Sequence, residues 1–191
     1  MPLGTLQILW LNLITDVFPA MALAMEPSAP DMMKRPPRDP DEALINPRSA
    51  WMIAWQGLLL AAMTLTTFGI GLRWHGDEGP GLRRAATMAF LTLALAQVAH
   101  AFNVRSQRRS ALTSRLFTNG WLWGAVLACV ALQVLSVSVP LLRRVLHTVP
   151  PSPSDWVVIL SCSLAPVAIV ELVKLIRRGS RPGSPSLLST P

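Results

Sequence analysis

One acidic residue stands inside a long apolar run, and its neighbours along the chain have the chemistry to help it bind a cation. Asp16 is the only charged residue within residues 3–25. Asn12, Thr15 and Asp16 follow the spacing i, i+3 and i+4, which places their side-chain oxygens on one face of an α-helix. Pro19 follows closely and has no backbone N–H, so the Thr15 carbonyl is expected to lose its helical partner.

These groups together form about half of the ligand shell that a hard cation prefers. A carboxylate, an amide carbonyl, a hydroxyl and a freed backbone carbonyl are all oxygen donors, and such a cation takes roughly six to eight of them. An acid near the centre of a bilayer costs about 2.5 to 3.5 kcal/mol on insertion scales, which makes a function for Asp16 the default hypothesis. The alternative is that these side chains only form hydrogen bonds between helices. The acid and the proline on one turn favour the cation site.

The composition indicates that these residues lie in a membrane. The chain has 191 residues, of which 51% are hydrophobic and 14% charged, and its mean hydropathy is +0.43. In soluble domains roughly a quarter of all residues are charged. The net charge of +7 would suggest nucleic acid as a partner if the basic residues formed one face. They are instead divided among several loops.

Five uncharged or nearly uncharged runs are each long enough to cross the hydrocarbon core as a helix. The sequence therefore predicts an all-α membrane protein with five transmembrane helices. The predicted spans are residues 3–25, 50–72, 85–104, 120–139 and 154–176. Residues 179–191 are rich in Gly, Ser and Pro, and we expect them to form a disordered tail.

The distribution of basic residues predicts the orientation. An odd number of spans divides the loops into two sets, and one set carries twelve Lys and Arg residues while the other carries five. By the positive-inside rule the first set is cytoplasmic, so the N-terminus is expected outside and the C-terminus in the cytoplasm. A cleaved signal peptide at the N-terminus is the weaker alternative, because that segment lacks a positive region and contains Asn12, Asp16 and Pro19.

Other polar residues give weaker signals. Cys129 and Cys162 lie in apolar runs, which favours buried thiols over a disulfide or a metal pair. His75 and His147 fall in the predicted external loops and are expected to be solvated. Glu171 lies near the end of the fifth span, where structural pairing with Lys174 is the simpler interpretation.

The first span and the loop after it resemble a known family. The run L-W-x-N-x-x-T-D at residues 9–16 is similar to the sixth transmembrane helix of P-type cation-transporting ATPases of the calcium-pump type. Residues 33–38 match the M-x-R-P-P-R pattern that these pumps place between helices six and seven. Residues 87–90 resemble helix eight, and residues 166–174 resemble helix ten. Residues 1–178 would then be the C-terminal transmembrane domain, comprising helices six to ten.

The resemblance implies a set of ion ligands. Asn12, Thr15 and Asp16 would coordinate the ion together with residues of helices four, five and eight. Gln97 aligns where two-site calcium pumps carry a glutamate, so it would give an uncharged oxygen, and transport of a single ion becomes the expectation. Ca²⁺ or Mn²⁺ is the expected cargo.

The resemblance also sets the expected function and partners. The sequence has neither the D-K-T-G-T phosphorylation motif nor the T-G-E-S actuator loop, so this chain is not expected to be catalytic alone. ATP and Mg²⁺ would bind to other domains of the pump. The expected partners are the remainder of the pump and membrane lipid, but not nucleic acid, and the expected location is a bacterial inner membrane. A free-standing scaffold or regulatory subunit of the membrane remains the alternative.

Overall fold

The computed structural model describes residues 3–25, 47–105 and 120–179. The ranges leave out residues 26–46, which include the M-x-R-P-P-R pattern, residues 106–119 after the third span, and residues 180–191, which hold nearly all of the predicted tail. Almost all of the described residues are helical, and none of them forms a β-strand. The prediction of an all-α membrane fold is therefore confirmed.

The helices follow the predicted spans closely. The first span consists of α1 (Thr5–Leu11), a π-helical turn (Asn12–Asp16) and α2 (Val17–Ala24). The later elements are α3 (Pro47–His75), α4 (Gly79–Arg105), α5 (Gly120–Ser138), α6 (Pro140–Leu146) and α7 (Pro153–Gly179).

Four of the described helical segments are long and apolar enough to cross a membrane, whereas the sequence predicted five. The four are the segments Thr5–Ala22, Ala50–His75, Gly120–Ser138 and Pro153–Val173. The remaining predicted span corresponds to α4, which is a helix of 27 residues but is not among the four.

Helix α4 is the centre of the described bundle. It contacts α3, α5, α7 and the first span. Met88, Phe90 and Leu91 on α4 are fully buried, as are the alanines at 85, 89 and 94. Small residues let neighbouring helices approach closely. At Gly71 of α3 an added Cβ would lie 2.8 Å from the Cα of Ala85, so a side chain there would push α3 and α4 apart.

A cluster of polar side chains joins three helices at the end of the bundle that the sequence predicts to be external. Asp155, near the start of α7, is completely buried. Its carboxylate accepts a hydrogen bond from Nε of Arg84 at 2.9 Å and from the backbone N–H of Ser152 at 2.8 Å. Nε2 of His75 lies 2.9 Å from the other carboxylate oxygen. The expectation that His75 is solvated was therefore wrong, because the fold places a buried carboxylate beside it.

The first span is attached to α6 near the same end. The Gln7 side chain accepts a hydrogen bond from the backbone N–H of Gly4 and donates one to the Leu146 carbonyl, both at 3.0 Å. Helix α6 ends at Leu146, and the residue that caps it, His147, is exposed and adopts the left-handed conformation with φ of 53°. These contacts fix the beginning of the span that carries Asp16.

Candidate cation site

The backbone is irregular where the sequence predicts the site. Residues Asn12–Asp16 form a π-helical turn between α1 and α2. In such a turn each N–H bonds to the carbonyl five residues earlier instead of four. Single π-helical turns inside α-helices occur frequently at functional sites. The sequence predicted a disturbance of the helix near Pro19, and the structure places it in the turn just before that residue.

The wide turn directs the three predicted ligands to two sides of the span. Asn12 and Asp16 are exposed, whereas Thr15 is buried. A turn of π-helix contains more residues than a turn of α-helix. Three residues therefore complete a smaller fraction of a turn, so Thr15, three positions after Asn12, points in a direction further from that of Asn12. Thr15 is thereby rotated away from Asn12, while Asp16 remains near it. The sequence placed all three on one face because it assumed regular α-helical spacing.

Thr15 meets the fourth predicted ligand inside the bundle. Its Oγ1 atom lies 2.8 Å from Oε1 of Gln97 on α4 and 2.8 Å from the Leu11 carbonyl oxygen. A hydroxyl carries one proton and can donate to only one of these oxygens. The Thr15 hydroxyl is therefore shared between a backbone carbonyl of its own span and the amide of Gln97 on α4. Residue identity alone does not reveal this pairing, because the two side chains are 82 positions apart.

A backbone carbonyl of the π-turn has a side-chain donor from another helix. Pro19 lies four residues after Thr15, whose carbonyl stays the one predicted to lose its helical partner, and five residues after Ile14. The Ile14 carbonyl accepts a hydrogen bond from the thiol of Cys129 on α5, with Sγ 3.2 Å from the oxygen. Cys129 is completely buried. Sequence analysis classed it only as a buried thiol and missed this contact.

Asp16 is the acidic centre of this arrangement. Among the described residues, no group of three or more His, Cys, Asp or Glu side chains could hold a metal ion. A site at the π-turn therefore depends on neutral oxygens around one carboxylate, with Asn12 and Asp16 open to further ligands. A cleft of about 330 Å³ lies elsewhere, between the start of α1, the start of α4 and the end of α6.

Comparison with known proteins identifies the family. Residues 1–176 match the family described as cation transporting ATPase, C-terminus. The chain is 36% identical over 178 residues to a calcium-transporting ATPase of Bacillus subtilis (strain 168), an alignment that covers 93% of this chain and 20% of that protein. It is 33% identical over 189 residues to calcium-transporting ATPase 1 of Bacillus cereus (strain ATCC 10987 / NRS 248), covering 93% and 21% respectively.

A third relative has a less specific name. The chain is 30% identical over 178 residues to a probable cation-transporting ATPase F of Mycobacterium tuberculosis (strain ATCC 25618 / H37Rv), covering 93% of this chain and 19% of that protein. The chain thus spans about a fifth of the length of these relatives. By its match to the family over nearly its whole length, this chain belongs to the C-terminal membrane regions of P-type cation-transporting ATPases.

Proposed function

We propose that this chain forms part of the ion-binding site of an ATP-driven cation pump, with Asn12, Thr15, Asp16 and Gln97 as its ligands from this region. The observation that carries the proposal is the π-turn at Asn12–Asp16. It leaves the amide of Asn12 and the carboxylate of Asp16 exposed, while the adjacent Thr15 is buried and contacts Gln97. All four supply oxygen atoms, which hard cations prefer.

The exposure of Asp16 supports a partner on that side of the span. A carboxylate facing lipid would be costly, and ionisable residues within membranes almost always face the interior of a bundle or a cavity. The described helices leave Asp16 uncovered. The rest of the pump is the proposed cover, and its helices would supply the remaining ligands.

The proposed cargo is a divalent cation. Two of the relatives are named calcium-transporting ATPases, and Ca²⁺ accepts six to eight oxygen ligands in flexible geometry. Mn²⁺ remains an alternative because it also suits carboxylate and carbonyl oxygens. The proposed location is the plasma membrane of a bacterium, and ATP and Mg²⁺ would act on the other domains of the pump.

Uptake of radioactive Ca²⁺ into inside-out vesicles tests the proposal. The vesicles carry the complete pump that contains this segment, either unchanged or with Asn12→Ala, Thr15→Val and Asp16→Asn combined. We expect ATP-dependent uptake by the unchanged pump, inhibition by Mn²⁺ if both ions share the site, and no uptake by the combined variant at equal amounts of inserted protein. Undiminished uptake by the variant would show that these residues serve packing only.

A further inference from the structure

A buried thiol on α5 contacts the backbone of the π-turn. Cys129 Sγ lies 3.2 Å from the Ile14 carbonyl oxygen, and the two residues are 115 positions apart in the chain. Both residues are buried and belong to one hydrophobic cluster that also contains Val98 and Val126. The contact is therefore shielded from water, where even a weak donor such as a thiol is significant because no solvent competes for the carbonyl.

If the five-residue spacing of the π-turn continued at Ile14, the carbonyl that Cys129 contacts would face a proline. The residue five positions after Ile14 is Pro19, which has no N–H to donate. A buried carbonyl without a partner costs free energy comparable to a lost hydrogen bond. The thiol from α5 offsets that cost, and it does so only while the turn is wide enough to direct the Ile14 carbonyl towards α5.

We infer that Cys129 is a positioning residue for the cation site, which it serves by holding the π-turn open through its hydrogen bond to Ile14. This inference rests on the proposed function of Thr15 and Asp16 as ligands. The wide turn rotates Thr15 towards Gln97 and leaves Asp16 beside Asn12. Without the thiol, the π-turn loses a hydrogen bond that stabilises its wide spacing. We then expect the turn to shift towards α-helical spacing, which moves Thr15 away from Gln97.

Two substitutions at one position separate hydrogen bonding from packing. Cys129→Ser keeps a donor of nearly the same size, whereas Cys129→Ala removes the donor. Val126→Ala is the matched control, because it removes apolar packing from the same cluster without changing a donor. All are made in the complete pump, and the cation concentration that half-saturates phosphoenzyme formation is measured together with the maximal level.

We expect Cys129→Ala to raise the half-saturating cation concentration about two- to tenfold, the range that corresponds to the loss of one hydrogen bond. Cys129→Ser should keep the half-saturating concentration close to that of the unchanged pump. Val126→Ala should leave this concentration unchanged even if less protein is recovered. Equal affinities in the Ala and Ser variants and the unchanged pump would overturn the inference, as would equal losses in Cys129→Ala and Val126→Ala.

A spectroscopic measurement on the 191-residue chain tests the hydrogen bond itself. The infrared S–H stretching band of Cys129, isolated by comparing the chain with its Cys129→Ala variant, should lie at the lower frequency of a hydrogen-bonded thiol. Pro19→Ala supplies an N–H to the turn and should shift the band towards that of a free thiol. A free-thiol band in the unchanged chain would contradict the inference. A second outcome would contradict the proposed function alone. In that outcome the unchanged chain shows the band of a hydrogen-bonded thiol, but Asp16→Asn leaves the cation affinity of the complete pump unaltered.

Discussion

Thr15 on the first span and Gln97 on α4 lie in direct contact, with Oγ1 and Oε1 2.8 Å apart. The contact connects the irregular turn to the central helix of the bundle. Because Thr15 Oγ1 also lies 2.8 Å from the Leu11 carbonyl oxygen, three oxygen atoms meet around one hydroxyl proton.

The Thr15 hydroxyl should matter more than the Thr15 methyl group. Thr15→Val preserves the shape of the side chain but removes the oxygen, while Thr15→Ser preserves the oxygen. In the complete pump we expect Thr15→Val to weaken apparent cation affinity about tenfold, equivalent to roughly 1.4 kcal/mol, and Thr15→Ser to weaken it much less. Titrations of phosphoenzyme formation with Ca²⁺ measure both. Equal affinities for the two variants would argue against an oxygen ligand at this position.

The buried carboxylate at the other end of the bundle should contribute to stability instead of ion binding. Arg84→Gln removes a charged donor from Asp155, and hydrogen bonds to charged groups contribute about 1.5 to 3 kcal/mol. Asp155 would retain the Ser152 N–H and His75, so we expect a loss near the lower limit. Thermal unfolding of the purified chain in detergent measures it.

The neighbouring arginine provides the control for that experiment. Arg83 is exposed, so Arg83→Gln should leave the unfolding midpoint nearly unchanged. Cation affinity in the complete pump should be unaffected by Arg84→Gln once the amount of folded protein is equalised. If both arginine variants lowered the midpoint equally, the ion pair with Asp155 would not explain the effect.

The orientation predicted from the basic residues is testable at two exposed positions. Asp77 lies between α3 and α4, and Gly120 begins α5. A cysteine introduced at Asp77 should react with an impermeant thiol reagent in intact cells, because the positive-inside rule places this turn outside. A cysteine introduced at Gly120 should react only after the cells are broken. The opposite pattern would invert the topology.

The helices were largely predictable from the sequence because their lengths follow from uncharged runs. The predicted span at 154–176 corresponds to α7, Pro153–Gly179, and the span at 120–139 corresponds to α5, Gly120–Ser138. Hydropathy is a property of each segment alone, so it requires no knowledge of neighbours. The central position of α4 and the short helix α6 depend on packing, and the sequence pattern did not reveal them.

The sequence suggested the residues of the candidate site, but it did not predict their geometry. Residue types and spacing selected Asp16 and Asn12, and resemblance added Gln97. The π-turn rotates Thr15 to another side of the span. The Ile14 carbonyl of this turn accepts a hydrogen bond from the thiol of Cys129, which is 115 positions away in the chain. Contacts between such distant residues arise from tertiary packing. For the same reason the sequence did not reveal the proximity of His75 to Asp155.

The central claim is that the Asp16 carboxylate binds the transported cation, and cation-dependent phosphoenzyme formation by the Asp16→Asn variant of the complete pump tests it most directly. Asn preserves size and hydrogen bonding but removes the charge. Glu171→Gln, a neutralisation on α7 away from the π-turn, is the control. A role in helix packing alone would lose only about 0.6 kcal/mol, the average for hydrogen bonds in a membrane bundle. We expect Asp16→Asn to weaken apparent cation affinity about tenfold or more and Glu171→Gln to leave it nearly unchanged; mild effects of both, or the larger effect at Glu171, would contradict the account.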